Sequence, residues 1–145
     1  MKQIIFTAIL IFAFCFTAFA QNVEIVDPER YGKLAWKSEK LRLLNFLVYL
    51  SWNKDSEGLL ELEFDKKTSR NAKIKRLKKI VQLFDSKQFN RNQILFRISD
   101  GDSESTTQWI IEKNKFNWLK KDDENHRTIK VKEFEQKIKE LFPRK

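Results

Sequence analysis

Between Lys66 and Lys79 the chain carries Lys66, Lys67, Arg70, Lys73, Lys75, Arg76, Lys78 and Lys79, and no acid. Basic side chains at this density on one helix face gather phosphates or carboxylates by charge, an attraction that salt weakens. A solvated face that keeps a protein soluble is the other common use of such a run. Just before it, Glu61, Glu63 and Asp65 alternate with Leu60, Leu62 and Phe64, which sets three carboxylates on one side of a strand. Acid–base work on a polymer would require those carboxylates to converge in a concave pocket.

Other side chains offer less. His126 is the single histidine, it lies in a charged stretch, and no serine has the elbow motif that would complete a triad. Asp100-Gly101-Asp102-Ser103-Glu104 has the composition of a calcium loop without its full ligand spacing or its distant bidentate glutamate. Asp122, Asp123 and Glu124 have no histidine pattern beside them, so a metal would have to be held by carboxylates alone. Trp36, Trp52, Trp109 and Trp118 fall at element ends or in strands, where packing accounts for them. The expectation is a non-enzymatic chain with no catalytic residue, no metal and no cofactor.

The elements that position these groups are legible from periodicity. Alternation predicts strands over 58–65, with Leu60, Leu62 and Phe64 inward, and from Ile94, with Ile94, Phe96 and Ile98 inward. Between them Ile74, Leu77, Ile80, Val81 and Phe84 recur at helical spacing behind Ser69 as a cap. Lys75, Arg76, Lys78 and Lys79 are placed on the far side of that helix. Asp100-Gly101 predicts a hairpin turn into a strand over 106–112, and Asn114-Lys115 a further reversal into 116–119. Residues 121–127 read as loop, and Val131, Phe134, Ile138 and Leu141 as a closing helix stopped by Pro143. Upstream, Ser38 is the expected cap of a helix reaching about Ser51. Its apolar face is read from Leu41, Leu44 and Val48, widened by Leu43, Leu47 and Leu50. Residues 21–36 read as a lead with a turn at Asp27-Pro28 and a short strand at 33–36, and residues 37–145 as one domain. The order predicts an α/β fold, a mixed sheet with helices laid against it as an α/β sandwich.

Residues 1–20 read as an export signal. Lys2 precedes an apolar run from Ile4 to Phe16 broken only by Thr7, and Ala18-Phe19-Ala20 provides the small-x-small site before Gln21. The run is shorter than the ~20 apolar residues of a spanning helix, so no transmembrane anchor is expected after cleavage. Cys15 would leave with the signal, taking with it any disulfide, thiolate zinc ligand or thiol nucleophile. Of 29 Lys and Arg only Lys2 would be lost, against 20 Asp and Glu. That excess favours polyanions. Export directs it to envelope phosphates, acidic glycans and lipid headgroups, and no nucleic acid is expected.

Tyr31-Gly32, Glu39-Lys40 with Leu43, Asn45 and Phe46, Gly58 before a strand, Arg91 before Ile94, and Thr107-Gln108-Trp109-Ile110-Ile111 form a recognisable set. Together, over roughly 31–111, they resemble the OmpA-like fold, the periplasmic domain that holds outer-membrane proteins to peptidoglycan. The resemblance implies a βαβαβ-β core, here with a C-terminal helix added. In the peptidoglycan-binding members an aspartate after the second strand accepts from the ammonium of diaminopimelate, while an arginine early in the next helix forks onto its carboxylate. The resemblance places Asp65 and Arg76 at those positions, with Lys75 beside the arginine and Lys79 on the same basic helix. Glu63-Phe64-Asp65-Lys66 stands where those members have Gly-His-Thr-Asp. The function expected is that of an exported, non-catalytic binding or structural protein of the cell envelope, periplasmic or secreted. Its expected partner is peptidoglycan, another anionic envelope polymer or an envelope protein. An enzyme acting on cell-wall or extracellular polymer through the strand carboxylates is the alternative.

Overall fold

The strand at Ser56–Asp65 has no exposed leucine: Leu59, Leu60 and Leu62 are all 0% accessible, although they point to opposite faces. One face of this strand, Leu60, Leu62 and Phe64, is wholly buried, while the other sets Leu59 among half-buried acids; it takes the centre of the sheet, with β-strand neighbours on both edges. The computed structural model describes residues 28–112 and 125–142. The export signal, the lead through Asp27, the strand expected at 116–119 and the stop at Pro143 lie outside them. The described elements run β1 (Glu29–Gly32), α1 (Trp36–Trp52), β2 (Ser56–Asp65), α2 (Arg70–Ser86), β3 (Ile94–Gly101), β4 (Ser105–Glu112), β5 (His126–Lys130) and α3 (Phe134–Leu141). The strands form one five-stranded sheet in the order β1-β4-β2-β3-β5. Only β2 and β3 run parallel, linked through α2; the other pairs are antiparallel. The expected mixed α/β sheet is therefore present.

All three helices lie on one face. Leu43, Phe46, Leu47 and Leu50 of α1, Leu77, Ile80 and Phe84 of α2, and Phe134 and Leu141 of α3 share a cluster with Leu60, Leu62, Phe64, Ile94, Phe96 and Ile98. Gly58 lets α1 descend onto β2. A Cβ there would stand 2.4 Å from Phe46 Cζ and 2.8 Å from Leu50 Cδ2, closer than such atoms approach. Arg91 clamps the far ends of α2 and α3 by bonding the carboxylates of both Asp85 and Glu135. The opposite face of the sheet holds a small cluster of Leu59, Leu95 and Ile111 with Trp109 against it.

Several expectations change. The first strand is Glu29–Gly32, not 33–36, because its pairing with Ser105–Gln108 of β4 ends at Gly32. Helix α1 opens at Trp36 with Ala35 as its cap residue, and Ser38 lies inside its first turn. The backbone N–H groups of Ser38 and Glu39 both donate to the Ala35 carbonyl at 3.0 Å. Leu41 and Val48 do not pack; they are 59% and 45% exposed, since α1 turns Phe46 and Leu50 to Gly58 instead. Asp100-Gly101 is not a hairpin turn. β3 and β4 lie on opposite edges of β2, so the short link between them crosses the end of the central strand. His126 and Arg127 belong to β5 rather than to a loop; Ile129 is its one buried residue, so this edge strand lacks an alternating apolar signal. The inward faces of β2 and β3 are as expected, as is the cap of α2, where the Ser69 hydroxyl accepts from Ala72 N–H at 3.3 Å. The closing helix begins at Phe134, with Val131 in the 3-10 turn before it.

Candidate functional site

On α2, Lys73 precedes Leu77 by four residues and Ile80 by seven, so helical geometry puts it in the middle of the buried stripe. It is 6% exposed, bonds the Asp100 carboxylate, and stands 5.8 Å from the ring centres of both Phe64 and Phe142. Arg76, four residues before Ile80, is drawn inward on the flank of the same stripe; its side chain is only 15% exposed. The basic segment is thus not uniformly outward. Lys73 and Arg76 are buried partners of acids, Arg70 Nε donates to the Phe142 carbonyl, and Lys66 pairs with Asp102 at 3.0 Å. Lys75, Lys78 and Lys79 remain exposed.

Arg76 forms the floor of a groove of about 320 Å³ between the start of α1, the flank of α2 and the link before β4. Its Nε donates to Glu39 Oε1 at 3.1 Å, and its Nη2 donates both to that oxygen and to Thr106 Oγ1, the latter at 2.8 Å. Nη1 lies 3.9 Å from Glu104 Oε1, too far for a hydrogen bond, and has no other acceptor among the described residues. Lys33 Nζ meets Glu104 at 2.9 Å. The guanidinium also stands 5.6 Å over the Phe64 ring, a favourable cation–π position. Lys33 and Arg76 offset Glu39 and Glu104, so the floor is close to neutral. The positive field at the mouth comes from Lys75 and Lys79, with Lys79 Nζ 5.6 Å above the ring of Trp36.

Of the residues expected at a binding site, the groove brings together Lys75, Arg76 and Lys79 and leaves Asp65 out. Asp65 ends β2 and accepts the backbone N–H of Lys67 at 2.7 Å, capping the turn into α2. A clamp of Asp65 with Arg76 is therefore not assembled: the guanidinium is committed to Glu39, and Asp65 to its own turn. Sequence reasoning missed Glu39, Glu104 and Trp36 here. Glu39 carried a usable signal, being the one acid of α1 and four residues before the buried Leu43.

The strand carboxylates lie on the other face of the sheet. Glu61 accepts from Trp109 Nε1 at 2.9 Å and from Arg97 Nη1 at 3.3 Å. Glu63 accepts from Ser105 Oγ at 3.0 Å. Both line a depression of about 140 Å³ with Arg97 and His126, while Asp65 does not reach it. The three acids do not converge.

Beneath α1, Tyr31 continues the polar layer: Gln108 Nε2 donates to its hydroxyl at 3.1 Å. Burial pushes the phenol up to about 12, outweighing the Gln108 hydrogen bond. Tyr31 in the folded protein thus holds its proton more tightly than in the unfolded chain. Its contribution is complete below pH 10 and disappears as pH rises from 10 to about 12. That contribution is about 2–3 kcal/mol, at 1.36 kcal/mol per pH unit. Urea midpoints followed across this window should fall more steeply for the natural protein than for Tyr31→Phe. Parallel curves would contradict the assignment.

Among the described residues no helix is long and apolar enough to cross a membrane. No family model, curated protein or solved structure matches the chain.

Proposed function

We propose that this chain is an exported, non-catalytic cell-envelope binding module of OmpA-like type. It takes the carboxylates or phosphates of peptidoglycan, or of another anionic envelope polymer, at the mouth of the α1–α2 groove. The observation that carries the reading is the placement of Lys75 and Lys79 beside Trp36, exposed, over a floor whose own charges are already balanced. A balanced floor leaves the rim cations available to an incoming anion, and the indole offers a flat apolar surface to a sugar ring. The element order β-α-β-α-β-β supports the fold assignment, and the apolar segment ending in Ala18-Phe19-Ala20 supports export. Recognition on this account is by charge and stacking, without the aspartate–arginine clamp.

Purified sacculi provide the test. The chain from Gln21 onward should be retained at low salt and released at high salt. Lys75→Glu with Lys79→Glu should reduce retention about tenfold, the equivalent of about 1.4 kcal/mol for two surface charges. Both lysines are exposed, so an unchanged urea midpoint accompanies the loss. Full retention by the folded double variant would overturn the reading.

A further inference from the structure

Helix α1 is apolar on two opposite sides. With about 100° between successive residues, Leu43, Phe46, Leu47 and Leu50 occupy one side and pack on the sheet. Leu41, Val48, Tyr49 and Trp52 occupy the other and are 59%, 45%, 55% and 72% exposed. Tyr49 and Trp52 meet edge to face, with ring centroids 5.6 Å apart at 83°, which holds both rings at the C-terminal end of this stripe. Lys37 stands exposed at its N-terminal end and Asn45 in its middle. Glu39, the only carboxylate of the helix, is buried at 3% on the sheet-facing side against Arg76, so the outward stripe carries no acid.

We propose that this face of α1 docks on an anionic lipid bilayer surface. The chemistry of the stripe matches the layers of such a surface. Leu41 and Val48 enter the acyl boundary, Trp52 and Tyr49 sit at headgroup depth where amphipathic rings are favoured, and Lys37 meets lipid phosphates. A lysine beside an anionic leaflet adds attraction, and the excess of basic residues left after the loss of Lys2 acts at longer range. A second copy of the chain suits the stripe less well, because a twofold contact would bring Lys37 of both copies to one apolar patch. The docking is reversible, since one side of one helix supplies all of it. It is also separate from the groove mouth, whose exposed cations Lys75 and Lys79 lie on α2.

The experiment is co-sedimentation of the chain from Gln21 onward with vesicles of phosphatidylglycerol and phosphatidylcholine, against phosphatidylcholine alone. Partitioning to the anionic vesicles should be about tenfold stronger, and Val48→Ser with Trp52→Ser should lower it by about another tenfold. Lys37→Glu should remove the preference for anionic lipid. Lys75→Glu with Lys79→Glu should leave partitioning within about twofold of the natural protein, which separates this surface from the groove. Urea midpoints establish that each variant is folded. Undiminished pelleting of the folded Val48→Ser, Trp52→Ser variant would overturn the proposal. So would partitioning lost only in the Lys75, Lys79 variant, or concentration-dependent dimers abolished by Trp52→Ser without vesicle binding.

Discussion

Arg76→Ala should lower the stability of this protein by about 3–5 kcal/mol, the cost of stripping one partner from a buried ion pair. The guanidinium is 15% exposed and the Glu39 side chain 5%, so alanine leaves a carboxylate in a poorly hydrated site with two donors removed. Thr106 loses its bond as well. The size of the loss comes from the orphaned charge and not from the strength of the pair. Replacing both Arg76 and Glu39 by leucine should therefore restore much of what the single change removes. Urea unfolding of the two single variants and the double variant gives the coupling directly. A loss below about 1 kcal/mol for Arg76→Ala would mean that water reaches Glu39, and that the floor of the groove is not built as described. Reduced sacculus binding by an Arg76 variant consequently reports lost structure, which is why the binding test rests on Lys75 and Lys79.

Phe96→Ala should cost a similar amount, about 3–5 kcal/mol, through a cavity at the junction of three elements. Phe96 is 0% exposed, and its ring centre lies 6.4 Å from that of Phe84 on α2 and 6.1 Å from that of Phe134 on α3. It is the point at which β3 holds both helices. Since a domain of this size is stable by about 5–15 kcal/mol in all, the variant keeps at best a modest margin. Phe96→Leu fills part of the cavity and should recover about half of the loss. Thermal and urea unfolding measure both variants, and a Phe96→Ala midpoint equal to that of the natural protein would show that the helices are held elsewhere.

Strands β2 and β3 and helices α2 and α3 were legible because each shows one unambiguous period. Leu60, Leu62 and Phe64 alternate, while Leu77, Ile80, Val81 and Phe84 repeat at helical spacing; no partner is needed to see either. Lys73 was read as part of the exposed basic run, although angular counting places it within its helix's apolar stripe, between Leu77 and Ile80. Arg76 and Glu39 are harder. Their burial depends on each other across two helices, and a charge gives no local sign that a distant counter-charge awaits it.

The sequence by itself determined the composition of the layers: a strand alternating apolar residues with acids, a helix divided between leucine and lysine, and an excess of basic residues. Periodicity is a local property, so the chain carries it without help. Tertiary structure alone decided which of two apolar sides of α1 faces inward, because that choice rests on Gly58 admitting Phe46 and Leu50. It alone decided that β4 passes to the far edge of β2, because a strand with β3 already on one side has only the other edge left to pair. It also separated the cations into those neutralised beneath the surface and those left at the groove mouth, since burial of a charge is settled by the partner that meets it.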